Sequence, residues 1–212
     1  MYVMRLLTAA DAQAAVALVQ ERVRALDARV PGRASSAPLR IAAFLGAPPG
    51  PGGCVAGLFE GDVLLAVLVL ARSSGLLPNP PGGRALAVVD AYTHPGMRKL
   101  RLGMMLSMWI SDHATRLTPP ASQVTAVVHD AYLASYLCQM CAWVQDRHVR
   151  DAGRHAIVLH RPAERVPALA QAIATDPALI TAVSAGGKAR EGDADRPVRC
   201  GRPPVPPMRG GR

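Results

Sequence analysis

Between Val88 and Leu106 the chain reads VVDAYTHPGMRKLRLGMML: an apolar strand that stops at a proline, three cations within four residues, a glycine, then an apolar helix. A strand-to-helix turn of this kind exposes backbone N–H groups at a helix N-terminus, where unpaired donors and the helix dipole attract anions. Arg98, Lys99 and Arg101 add charge, and Gly103 would let an anion approach the backbone closely. The chemistry expected there is binding of a phosphate or pyrophosphate; the plainer alternative is a solvated basic loop. On the preceding strand, Asp90, Tyr92 and His94 alternate onto one face. Asp90 is the first candidate for a general base, against a buried structural carboxylate, with His94 and His129 nearby in the reading. Glu60 sits in the turn Glu60-Gly61-Asp62 and is a poorer choice. Cys138 and Cys141 form a CxxC inside a helical segment with no second CxxC, which favours packing over metal or redox chemistry.

The elements that must position these residues follow from periodicity and turn residues. Tyr2 to Leu7 is a short strand. Thr8 caps an amphipathic helix with Asp11 in its first turn, and the helix ends near Pro31. A second helix covers Leu39 to Leu45, and GAPPGPGG is a loop. Cys54–Phe59 and Val63–Ala71 form a hairpin, PNPPGGR is a turn, and Ala85–Thr93 is a strand stopped by His94-Pro95. Met104–Leu117 and Ala131–Ala142 are helices on either side of a strand at Val124–Val128. Trp143–Gln145 and His155–His160 are the last strand pair, and Val166–Val183 is a helix or helix pair broken at Asp176-Pro177. This order predicts a mixed sheet with helices on both faces.

The segment Thr93-His94-Pro95 followed by Arg98-Lys99-Leu100-Arg101-Leu102-Gly103 resembles the V-x-P and R/Q-x-x-G-x-G/A elements of the GNAT acetyltransferase superfamily. A second match lies downstream, where Ala131, Ala134, Leu137, Cys138, Ala142 and Trp143 follow the spacing of the family's N-x-x-A-x-x-L-Y-x-x-x-G-F segment. RLLTAADAQAAVALV is similar to the family's first strand and helix, so the resemblance spans about residues 2–161. It departs at Arg101, in the place of the loop's first glycine, at Ala131 for asparagine and at Cys138 for tyrosine. At Arg101 the turn either needs no positive φ or is distorted.

The resemblance implies an α+β, three-layer α/β/α fold with a mostly antiparallel central sheet. It implies transfer of an acetyl group from acetyl-CoA to an amine by direct attack. The backbone amides of Arg98, Lys99, Leu100, Arg101, Leu102, Gly103 and Met104 would hold the pyrophosphate. Tyr92 and Thr93 would pair with the pantetheine, whose acetyl end enters a gap between splayed strands. Asp90 would take the amine proton, and Cys138 would protonate the departing thiolate in place of tyrosine. Homodimers are common in the family. A catalytically silent acyl-CoA-binding module is the alternative reading.

The 212 residues carry a formal charge of +9 and are half apolar but only 4% aromatic, so the core is expected from Ala, Val and Leu. From Ser184 to Arg212 seven basic residues face three acidic ones, so nearly half of the excess belongs to a Gly/Pro/Arg-rich tail with no core. The expected organisation is a domain over 1–161, a helical extension over 162–183 and a basic disordered tail over 184–212. No RNA-binding aromatic signature or helix-turn-helix supports a nucleic-acid partner. The longest aliphatic run, Val63–Ala71, is about half of what a bilayer needs. Four scattered cysteines and no signal core point to the cytoplasm.

Overall fold

The computed structural model describes residues 1–28, 37–46, 53–72, 84–97, 101–151 and 153–185. Most of the GAPPGPGG loop and the PNPPGGR turn, the cations Arg98 and Lys99 with Leu100, and the tail from 186 lie outside the described residues. In chain order the elements are β1 (Tyr2–Leu6), a 3-10 turn (Ala9–Asp11), α1 (Ala12–Asp27), α2 (Ala37–Gly46), β2 (Cys54–Glu60), β3 (Val63–Arg72) and β4 (Ala85–Thr93). There follow α3 (Leu102–Arg116), β5 (Gln123–Val128), α4 (Ala131–Cys141), β6 (Val144–Asp151), β7 (Arg154–Pro162), α5 (Leu169–Ala172), β8 (Ile173–Thr175) and α6 (Pro177–Ala185).

One eight-stranded sheet runs in the order β6-β7-β5-β4-β3-β2-β1-β8. Only β4–β5 and β1–β8 are parallel. The α1/α2 layer buries Leu18, Val19 and Ile41 against Val67 and Val69 on one face. On the other face Leu106, Trp109, Ile110 and Leu179 pack against Leu65, Leu68 and Leu70. With helices on both sides, β3 is buried along almost its whole length, which is why VLLAVLVLAR reads as a continuous apolar run rather than an alternating one. The expected three-layer α+β architecture is the one observed.

Two elements differ from the sequence expectation. β6 runs eight residues, to Asp151, although DRHVRD is strongly charged. It is an edge strand with a bulge at Asp146, and edge strands carry charge and bulges where central ones cannot. The 162–183 segment, expected as a helical extension outside the domain, instead adds β8 to the sheet beside β1 and sends Leu169, Ile173, Leu179 and Val183 into the main core. Polar side chains of the buried helix α3 hold it there. Ser111 Oγ donates to the Pro162 carbonyl at 2.5 Å and accepts from the Glu164 N–H at 3.1 Å. Asp112 accepts from the Val166 N–H at 3.0 Å, and Trp109 Nε1 donates to Thr175 Oγ1 at 2.9 Å.

His113 stands in the same helix, 1% exposed and stacked on Trp109 with ring centroids 4.6 Å apart. Neither ring nitrogen has a hydrogen-bond partner among the described residues. Burial, with Arg116 and Arg72 nearby and Asp112 opposing them, pushes its pKa down to about 4. The folded state therefore favours the neutral ring. Stability from this group is complete above the unfolded value near 6.5 and is lost as pH falls from there towards 4. Replacement of His113 by Leu is expected to remove roughly 2–3 kcal/mol of the stability difference between pH 7 and pH 4.5 in urea unfolding; an undiminished difference would show that the ring is not buried neutral.

Candidate functional site

β4 and β5 pair for four residues, from Ala85↔Gln123 to Val88↔Ala126, and then separate. Beyond that point β5 continues along β7 only, to Val128↔Ile157, and β4 continues along β3 only, to Thr93↔Ala66. The separation begins where the β3–β4 register shifts, leaving Val89 as an extra, 41% exposed residue on β4. A bulge of this kind bends and twists its strand. It also reverses which side chains face which layer. Leu86 and Val88 pack with the α3 layer, whereas past Val89 Tyr92 packs with the α1/α2 layer and Asp90 bonds to α2.

The open edge of β4 can be read from its hydrogen bonds. His94 N–H donates to the Leu65 carbonyl at 2.8 Å, so in this antiparallel pair His94, Tyr92 and Asp90 direct their backbone groups to β3. Ala91 and Thr93 direct theirs to the gap. Of the two residues expected to pair with a ligand, Thr93 therefore has its backbone on the open edge, as Ala91 does, and Tyr92 has its backbone on the β3 side.

At the same end of the sheet α3 begins. Arg101 precedes it with φ +48° and ψ +38°, so the turn does require the left-handed conformation that the usual glycine adopts without cost. An L-residue pays about 1 kcal/mol to sit there. The N–H groups of Arg101, Leu102 and Gly103 have no partner among the described residues, but that of Met104 donates to the Arg101 carbonyl at 3.0 Å. Met104 is therefore not a free donor. The Leu102 side chain is a core residue, leaving only its backbone at the surface. A Cβ on Gly103 would lie 3.2 Å from Tyr136 Cε1 and 3.3 Å from its hydroxyl. The glycine admits the ring of Tyr136 from α4 across the first turn of α3.

On the α1/α2 face, Asp90 Oδ1 accepts from Arg40 of α2 at 2.8 Å and from the Tyr92 hydroxyl at 3.0 Å. Its other oxygen is buried with no partner among the described residues, and the side chain is 11% exposed. A buried acceptor left unpaired costs about 1–3 kcal/mol. Burial and the neighbouring Asp90 push the Tyr92 hydroxyl up to about 12, against the pull of Arg40. His94 Nδ1 accepts from the Gly96 N–H at 3.2 Å, and its Nε2 lies 3.6 Å from Glu21 of α1. The expected grouping of Asp90, Tyr92 and His94 on one face is present. His129 closes β5 and pairs with Asp151 at 3.0 Å. Cys138 is half-buried on α4, packed on the opposite face of the sheet from Asp90. A cavity of about 140 Å³, lined by Leu7, Phe44 and Cys54, lies beside β1 and β2, two strands away from β4.

The fold has counterparts of known structure. The ribosomal-protein-S18-alanine N-acetyltransferase of Escherichia coli superposes with a TM-score of 0.54 at 15% identity, covering 78% of this chain and 96% of its own. The chain has the GNAT fold. A chimeric spermidine N-acetyltransferase from Vibrio cholerae matches with TM-score 0.56 at 13% identity over 76% of this chain and 95% of its own. An acetyltransferase of the GNAT family from Streptococcus pneumoniae matches with TM-score 0.51 at 11% identity over 77% and 100%. No protein-family profile and no curated protein matches the sequence.

Within the GNAT fold, three side chains that the sequence reading passed over belong to this end of the molecule: Arg40, Glu21 and Tyr136. Arg40 is separated from Asp90 by 50 residues, and no local pattern could pair them. Tyr136 stands two positions before Cys138, so alignment on the family's tyrosine skipped it. Burial, with Cys141 beside it, raises the Tyr136 pKa, while Arg101 opposes the rise. Among the described residues no three His, Cys, Asp or Glu side chains converge to hold a metal ion.

Arg101→Gly is expected to stabilise the protein by about 1 kcal/mol in urea unfolding, because glycine takes the left-handed conformation freely. A destabilised variant would mean that the Arg101 side chain contributes more than its backbone costs.

Proposed function

We propose that the chain is an N-acetyltransferase that moves an acetyl group from acetyl-CoA to a primary amine within a ternary complex. The observation that carries this reading is the divergence of β4 from β5 after Val88 and Ala126, with the N-terminus of α3 at its end. The residues present suit the donor. The backbone of Ala91 and Thr93 would pair with the pantetheine amides, and the open amides of Arg101, Leu102 and Gly103 would hold the pyrophosphate. In sequence, Arg98, Lys99 and Leu100 lead directly into that turn, bringing two further cations.

In the transfer a C–N bond forms as a C–S bond breaks. The amine gives up a proton, and the departing thiolate gains one. Asp90 is assigned the first task, through the buried oxygen that neither Arg40 nor Tyr92 engages. The second falls between Tyr136 and Cys138 on α4. Tyr136 is favoured because its hydroxyl lies at the first turn of α3 and its raised pKa keeps it protonated. Among the described residues no helix is long and apolar enough to cross a membrane. The unpaired thiols Cys54, Cys138 and Cys141 accord with a place in the cytoplasm.

The direct test is release of free thiol from acetyl-CoA with a panel of amines. Gly103→Glu places a carboxylate against both Tyr136 and the anion site, so acetyl-CoA binding by calorimetry should fall below detection; normal binding would remove this turn from the site. Tyr136→Phe should lower kcat at least tenfold and Cys138→Ala less than twofold, and the reverse pattern would return the proton to Cys138. Binding without turnover of any acceptor would identify a silent acyl-CoA-binding module.

A further inference from the structure

The acceptor side of the site carries two unequal points of recognition. Asp90 receives both of its donors, Arg40 and the Tyr92 hydroxyl, on Oδ1, and Oδ2 is buried with no hydrogen-bond partner among the described residues. An unpaired carboxylate oxygen calls for a donor, and a charged N–H is the strongest one available. Arg40 has five N–H donors. One is bonded to Asp90, the Tyr92 hydroxyl lies beside it, and the side chain is still 51% exposed. The guanidinium therefore stands at the rim with donors to offer, and its planar fork suits a carboxylate. The same charge repels a second cation on the acceptor. Acid and base are held against each other across 2.8 Å, so a ligand that meets both must itself carry opposite charges close together.

We propose that the acceptor is an α-amino acid, or another zwitterion with an anionic group next to its amine, with its ammonium on Asp90 Oδ2 and its carboxylate on Arg40. An α-amino acid places these groups one carbon apart, the short span that separates Oδ2 from the guanidinium bonded to Oδ1. This inference rests on the acetyl-transfer reading. It narrows that reading from amines in general to one charge type.

The test uses matched sets with the same side chain: the free amino acid, its carboxamide and its decarboxylated amine, assayed with the full chain and acetyl-CoA. The free amino acids should be turned over with kcat/KM at least tenfold above both partners. Arg40→Gln should lower kcat/KM for the amino acids, chiefly through KM, at least tenfold more than it lowers kcat/KM for the decarboxylated amines. Arg40→Lys should recover part of the preference, since it keeps the charge and loses the fork. Amines that outperform amino acids, or an Arg40→Gln loss equal for both, overturn the assignment. So does acetyl-CoA binding with no zwitterion in the set acetylated. Calorimetry on the same preparations separates this from failure of the underlying reading, which would show as no binding of acetyl-CoA at all.

Discussion

The functional end of this molecule depends on the register shift at Val89. Parallel strands that stay paired bury their backbone groups in each other. β4 and β5 do so for four residues, and then the bulge turns β4 aside. Three consequences share that cause. The backbone of Ala91 and Thr93 is left with an open edge. Asp90 and Tyr92 are carried onto the α1/α2 face, away from the face that Leu86 and Val88 occupy. The first turn of α3 comes to lie at the wide end of the gap. Without the bulge, Asp90 would continue the alternation of Leu86 and Val88 and point into the core beneath α3, away from Arg40.

A gap in a sheet weakens it, and α3 is the element that spans the weakness. It is buried on nearly every side, yet carries Ser107, Ser111, Asp112 and His113 where a helix of this depth would ordinarily be apolar. Three of these four make bonds to other parts of the chain. Ser107 accepts from Trp143 at 2.9 Å, which fixes the end of α4, while Ser111 and Asp112 fix the segment after β7. Each bond reaches at least 36 residues along the sequence. With the Trp109 bond to Thr175 on β8, the helix is tied to both sides of the divided sheet, and its N-terminal amides can be held in place without a ligand. His113, the fourth, has no such bond and stays neutral at the cost of acid stability.

Much of this was legible in the sequence, and the failures have physical reasons. Apolar runs and turn residues gave the order of strands and helices because burial imposes them residue by residue. β4 was read to its exact ends, since His94-Pro95 stops it and PPGGR starts it. The shared face of Asp90, Tyr92 and His94 follows from a period of two. That face's identity does not, because a bulge adds one residue without marking it. β6 was cut short because an edge strand need not be apolar. β8 is three residues long, below what any period can reveal. Tyr136 was passed over because Cys138, not it, occupies the family's tyrosine position, although a ring seated over Gly103 is what the glycine accommodates.

In the proposed transfer, the two sides of the gap would divide the proton chemistry. On the α1/α2 side stand Arg40 paired with Asp90, and Glu21 beside His94. On the α3/α4 side stand neutral donors, Tyr136 and Cys138, near Arg101. This is the distribution that direct transfer requires. The amine arrives with a proton to lose and needs a carboxylate. The thiolate leaves with a charge to quench and needs a weak acid that is still protonated. Placing both functions on one face would let the carboxylate and the acid satisfy each other, as Asp90 and Tyr92 already do. A sheet opened between two strands keeps them apart while giving both access to the same bond. The strained backbone at Arg101 is tolerable in that setting, because the turn it completes is what brings the amides of α3 to the mouth of the gap.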